Sequence, residues 1–352
     1  MLRGEAFPLK ANPNRPPKPD FPASQPSTHM HQPPLGTRLL LWYVRLFGRR
    51  IESLSPEAAR RLTDRGFSFI ENLLDFPPLK QHEVRDETAP ARDGYPIPLR
   101  VYRPVAEPNL PLMVYFHGGG FVLRSIETHD RLCRRLAAVN RAVVVSVGYR
   151  LAPEHKFPVP LHDAFDALVW AAEQAPRWGA RSERLVVAGD SAGGNLATVC
   201  CLLAREAGGP TLSAQVLIYP TTDATFSHPS VETFAEGYLL TKSMMQWFLE
   251  HYQRSPEDRT NPLFSPHFAP DLQGLPDALV LTAGLDPLRD EGAAYARKLA
   301  EAGVPTVYRH YPRMIHGFFN MPRLAPDALH AHEAIRRFLQ AVFAKGTTLQ
   351  PN

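Results

Sequence analysis

The segment "RLVVAGDSAGGNLATVCCLLARE", residues 184–206, constrains this chain more than any other. A run of β-formers ends at Gly189, and a helical pattern starts straight after Ser191. A bend this tight between a strand and a helix leaves no room for side chains two positions either side of its apex. Gly189 and Gly193 meet that demand, with Gly194 beside them. The free amides at the start of the helix then point back toward the serine. Glycine spacing alone would fit a plain turn with a capping serine. The strand before it and the helix after it favour a nucleophile.

The rest of the chain repeats the strand-then-helix rhythm. Strand-like stretches are "HEVRDETA" and "IPLRVYRP", joined by the turn "RDGYP", then "PLMVYF", "AVVVSVGY", "RLVVAG", "AQVLIYP", "DALVLTAG" and "VYRHYP". Helical patterns fall at about 127–139, 163–175, 192–206, 290–302 and 326–343. Apolar strands alternating with helices predict an α/β fold with a mostly parallel central sheet flanked by helices. The first two strands form a hairpin that supplies an antiparallel edge.

Nearly sixty residues separate the strand ending at Tyr219 from the one starting near Ala278. They include the amphipathic "VETFAEGYLLTKSMMQWFLEHYQ", an insertion placed where a lid would sit. Residues 36–48 and 56–66 read as two further helices, the second with Ser55 and Pro56 as N-cap and first-turn pair. The expected organisation is a proline-rich arm over 1–35, the N-terminal part of a helical cap over 36–80, and a catalytic domain over 81–345 with a cap insertion at about 221–255. Nine prolines between 8 and 34 rule out regular structure in the arm.

Composition narrows the partners. A net charge of +4 without a basic, aromatic-rich tract argues against nucleic acid. The most apolar stretch, "LLLWYVRLF" at 39–47, is too short to span a bilayer and carries Arg45, so no transmembrane span is expected. The first residues lack the apolar core of a signal peptide. Cys133, Cys200 and Cys201 form no CxxC and read as buried core, which fits a reducing, cytoplasmic setting. No cofactor-binding or metal motif occurs: there is no GxGxxG opening a βαβ unit, no Walker A and no HExxH.

Three more features supply what a nucleophilic serine needs. "HGGG" at 117–120 follows the strand "PLMVYF", and its backbone can approach a substrate oxygen closely. Gly118, Gly119 and Ala192 are the expected oxyanion donors, and His117 is expected to hold the loop. His316 in "MIHGFF" is the expected base, in a loop between the last strand and the last helix. The orienting carboxylate is expected at Asp286, with Asp290 the rival. Asp290 also reads as a first-turn charge favoured by the helix dipole. The order Ser191, Asp286, His316 places all three at the carboxyl ends of strands.

Taken together, "HGGGF", "YRLAPEHKFPVPLHD" (149–163), "GDSAGGNLA" (189–197), "DPLRDEG" (286–292) and "HGF" (316–318) resemble the hormone-sensitive-lipase-like branch of the α/β-hydrolases. That branch includes many microbial carboxylesterases. The resemblance covers about residues 81–344. It implies an α/β-hydrolase fold with a helical cap, hydrolysis of short- to medium-chain carboxylic esters, and a small-molecule ester as the partner. It carries the triad roles to Ser191, Asp286 and His316. Glu154, Asp163 and Asp190 become supporting residues near the nucleophile loop, with the Asp190 side chain aimed away from Ser191.

Phe121, Phe234, Tyr238, Met244, Met245, Trp247 and Phe248 are the candidate apolar lining of the substrate site, each equally readable as cap core. Two other classes share these features. One is a hydrolase of amides or carbamates using the same triad. The other is a non-catalytic small-molecule receptor, which would normally have lost a triad member. A homodimer is one admissible assembly.

Overall fold

A computed structural model of the chain describes residues 32–347. Most of the proline-rich arm lies outside the described residues. Eight strands form one sheet in the order β1-β2-β4-β3-β5-β6-β7-β8: β1 (Glu83–Pro90), β2 (Pro96–Arg103), β3 (Leu110–Phe116), β4 (Val143–Val147), β5 (Ala180–Asp190), β6 (Ala214–Ile218), β7 (Asp277–Leu285) and β8 (Thr306–Ile315). The hairpin β1–β2 pairs antiparallel and joins β4 antiparallel, while every pair from β4 onward is parallel. The expected fold class is therefore the observed one, with the hairpin at one edge.

The inner strands are apolar because both of their faces are covered. In β3, Val114 and Phe116 face one core with β5 residues Leu185 and Val187. Met113 and Tyr115 face the other with Val186 and Ala188. Helices α4 (Val159–Gln174), α5 (Ala192–Ala207) and α8 (Arg289–Glu301) cover the first face; α3 (Asp130–Asn140) and α9 (Asp327–Thr347) cover the second. Cys133, Cys200 and Cys201 are all buried and unbridged.

The cap is built from α1 (Leu35–Phe47) and α2 (Pro56–Leu74) before the sheet, with α6 (Pro229–Thr233) and α7 (Lys242–Tyr252) from the insertion. Helix α2 runs a further two turns past the expected end at residue 66. Ser55 caps it as expected, accepting from the amide of Ala58 at 3.3 Å. Helix α1 packs on one side only. Leu40 and Leu41 join Leu74, Phe234, Leu285 and Ile315, whereas Trp42, Tyr43 and Phe47 stay exposed. Among the described residues, no helix is long and apolar enough to cross a membrane.

Candidate active site

β5 ends at Asp190, and α5 begins at Ala192, so Ser191 alone makes the bend. Its φ of 56° and ψ of −119° are strained for a residue with a side chain. Three bonds hold it there: Ser191 donates its amide to Ile218, and its carbonyl accepts from the amides of Asn195 and Thr221. A Cβ on Gly189 would overlap the Gly193 carbonyl, and one on Gly193 would overlap the Phe116 carbonyl. The glycine spacing in the sequence is thus a packing requirement between β3, β5 and α5.

The two other groups arrive from the ends of neighbouring strands. Asp286 follows β7, and its side chain is fully buried. The Leu288 amide donates to its Oδ1 at 2.9 Å, leaving Oδ2 for His316 Nδ1 at 2.8 Å. His316 follows β8, turned inward by Gly317 at φ 81°. With Nδ1 donating to the carboxylate, Nε2 is the ring's acceptor. It lies 3.0 Å from Ser191 Oγ. Tyr219 packs against the ring, with centroids 4.6 Å apart. Asp290, the rival carboxylate, is engaged elsewhere: Arg289 pairs with it at 2.7 Å, and the Ser230 amide donates to it.

The glycine run departs from expectation at its first residue. The Gly118 amide donates to Asp190 Oδ1 at 2.9 Å, so it does not face an incoming oxygen. A carboxylate from the next strand has taken that donor. No acceptor among the described residues takes the amides of Gly119 and Gly120. Ala192, the first residue of α5, has no intrahelical acceptor either. The donors left free in the glycine run and at the start of α5 are therefore Gly119, Gly120 and Ala192.

Asp190 does turn away from Ser191, as expected. Tyr115 donates to it at 2.7 Å, Asn320 at 3.4 Å, and His129 Nε2 lies 3.3 Å away. Burial alone would raise the carboxyl pKa, but His129, Tyr115 and the Gly118 amide hold it below the ordinary range. His129 and Tyr115 were not singled out from sequence; nothing in their local spacing marks them. His117 holds the loop by stacking on Tyr149 with centroids 4.4 Å apart, while the Tyr149 hydroxyl donates to the His117 carbonyl at 2.6 Å. Burial lowers the His117 pKa to about 3, so the ring is neutral at ordinary pH.

Glu154 and Asp163 each hold an arginine. Glu154 is paired with Arg60 of α2 at 2.7 Å. Arg60 also donates to the carbonyls of Val122 and Ala152, so this cluster clamps the cap onto the body. Asp163 is buried and accepts three bonds from Arg150, one from its amide and two from its guanidinium. It fixes the loop after β4.

The candidate lining residues divide. Phe248 lies against Gly120, so a Cβ there would run into its ring. Leu239, which the sequence did not single out, approaches Gly317 beside the histidine. Phe121 stacks on Tyr252 with centroids 3.9 Å apart, and Phe234 sits in the cluster under α1. Both are core. Met245 and Trp247 are nearly buried, and Met244 and Tyr238 are half-buried at the edges of their clusters.

Sequence comparison bears on the whole assembly. The sequence model of the α/β-hydrolase fold family matches residues 113–320, more than half of the chain. The chain belongs to the α/β-hydrolase fold family. Relatives of this α/β-hydrolase include an ethyl acetate hydrolase from Pseudomonas putida, 39% identical over 284 residues, which are 79% of this chain and 87% of that protein. The carboxylesterase NlhH of Mycobacterium tuberculosis is 42% identical over 278 residues, 76% of this chain and 87% of that one. Among solved structures, an ester hydrolase from the metagenome of Lake Arreo, complexed with a bipyridine phosphonate derivative, superposes with a TM-score of 0.82 at 41% identity. It covers 90% of this chain and 100% of its own. An esterase from Pyrobaculum calidifontis does so with a TM-score of 0.80 at 42% identity, covering 86% and 97%.

Proposed function

We propose that this α/β-hydrolase is a carboxylesterase of the hormone-sensitive-lipase-like branch, acting on short- to medium-chain esters through an acyl-serine. The observation that carries the reading is the relay itself: Ser191 Oγ, His316 and a fully buried Asp286 linked at 3.0 and 2.8 Å.

In this reading, His316 Nε2 takes the Ser191 proton as Oγ attacks the ester carbonyl. The carbonyl oxygen gains charge and collects bonds from the amides of Gly119, Gly120 and Ala192. His316 returns the proton to the departing alcohol. Water then enters, loses a proton to the same nitrogen and releases the acid, restoring Ser191. Asp286 fixes the imidazole tautomer and stabilises its protonated form. Similarity to an ethyl acetate hydrolase and a carboxylesterase supports the substrate class. Phe248 over Gly120 and Leu239 beside Gly317 frame the site with apolar side chains, which supports acyl groups over charged ones.

Ser191→Ala tests the relay. Hydrolysis of p-nitrophenyl acetate and butyrate should fall by about four orders of magnitude or more with the melting temperature kept. Turnover within about tenfold of wild type would overturn the assignment. An acyl series from acetate to palmitate on the wild type should peak at about C4–C8, and a peak at C14–C16 would overturn the chain-length part.

A further inference from the structure

Outside the triad, one cluster has chemistry that nothing above uses. Asp223 lies in the loop after β6, His228 precedes α6, and His267 lies in a short helical turn, Pro266–Phe268. Their ligand-capable atoms all fall within 4.8 Å of one another. Asp223 Oδ2 and His228 Nε2 are 3.3 Å apart. The two imidazole rings stand at 89° with centroids 5.6 Å apart. His267 Nδ1 is shielded from solvent and has no hydrogen-bond partner, and the shielded His228 Nε2 faces only the Asp223 carboxylate. Buried polar atoms are nearly always satisfied, so an open His267 nitrogen aimed at the Asp223–His228 pair needs an account.

The carboxylate is oriented from behind. Thr225 donates to Oδ1 through its amide and its hydroxyl, and Ser227 donates to Oδ2. The loops are joined independently of the cluster. The His267 amide donates to the Thr222 carbonyl at 3.0 Å, and the Ala224 amide to Ser265 Oγ at 3.0 Å. Lys298 fixes the other side by donating to the carbonyls of His267 and Ala269. The three side chains thus converge without help from an ion, and their carboxylate has the outer hydrogen bonds that metal ligands usually have.

We infer that Asp223, His228 and His267 bind a divalent transition-metal ion of the Zn²⁺ type. Two imidazole nitrogens and one carboxylate oxygen select such an ion over Mg²⁺ or Ca²⁺, which take oxygen ligands. Three protein ligands leave a fourth position for water. The site ties the chain just after β6 to residues 265–268. The same post-β6 segment donates the Thr221 amide to the Ser191 carbonyl. A bound ion would brace the segment that supports the nucleophile bend without touching substrate.

The test uses the tag-free full chain stripped with a chelator. Equilibrium dialysis against Zn²⁺ should give about one tightly held ion per chain, and the melting temperature should rise with added Zn²⁺. Co²⁺ in its place should give the intense visible absorption of a low-coordinate site. His228→Gln/His267→Gln should weaken binding at least about tenfold and remove both the melting shift and the cobalt band. The single variant His267→Gln, in the short turn Pro266–Phe268, gives the same readout should the double variant fold poorly. Zn²⁺ bound equally well by the variants, or no binding by the wild type at about 100 μM, would overturn the site.

Discussion

At the scale of single residues, Asp190 decides more than its place beside the nucleophile suggests. It takes the Gly118 amide out of the set of free donors and, by doing so, fixes the backbone that presents Gly119 and Gly120. Asp190→Asn keeps the shape but removes the charge that faces His129 and replaces one acceptor with a donor. In the proposed mechanism, kcat should fall by about 10- to 100-fold while KM moves little, because loss of one oxyanion donor typically costs about 10²–10³. Steady-state kinetics separate the two, and a rise in KM with unchanged kcat would reject this positioning role. The residue scale also shows what the sequence could disclose. Ser191, Asp286 and His316 were legible because each ends a strand beside its own glycine or proline signature. The Gly118–Asp190 bond was not, because it depends on the register between β3 and β5, which no local pattern records.

At the scale of elements, α7 and the glycine loop are fitted to each other. Gly120 has φ 61°, and a methyl there would strike the Phe248 ring. Gly120→Ala therefore strains the backbone by about 1 kcal/mol and pushes α7 away. Ester hydrolysis should drop at least about tenfold, and adding Phe248→Ala should restore part of it, a coupling read from the double-mutant cycle. Equal activity for the single and double variants would show that the ring and the loop act independently. Strands and helices of the sheet were readable because apolar runs and amphipathic faces follow from burial on two sides or one. Cap elements were less so. Helix α2 continues through Gly66, which reads as a stop, and the apolar residues of α1 and α7 have no periodicity that separates core from lining. The ligand trio at 223, 228 and 267 spans two loops, so no spacing announced it.

At the scale of the whole molecule, buried histidines set the acid side of stability. His332 on α9 stacks on Phe319, with both ring nitrogens buried and unpartnered. Burial, with Arg135 adding to it, pushes its pKa well below the ordinary value of 6.5. Above about pH 6.5 the ring is neutral whether the chain is folded or not, so it confers no pH dependence. Below that value the unfolded chain takes up a proton that the folded one refuses, and stability is lost. His332→Leu removes the proton linkage and the unsatisfied nitrogens together. The variant should melt higher than wild type, and its advantage should grow as the pH falls from 7 to 5. A constant difference across that range, in melts at each pH, would refute the linkage. The same arrangement has a consequence in time. Ser191 and His316 are 125 residues apart, and β8 is the last strand of the sheet. A chain leaving the ribosome N-terminus first presents its serine, its bend and most of its sheet long before the imidazole that must meet that serine exists. In the proposed mechanism the relay is thus completed only once β8 and the loop after it have been made, so the serine waits without its base while the 125 residues between them are synthesised.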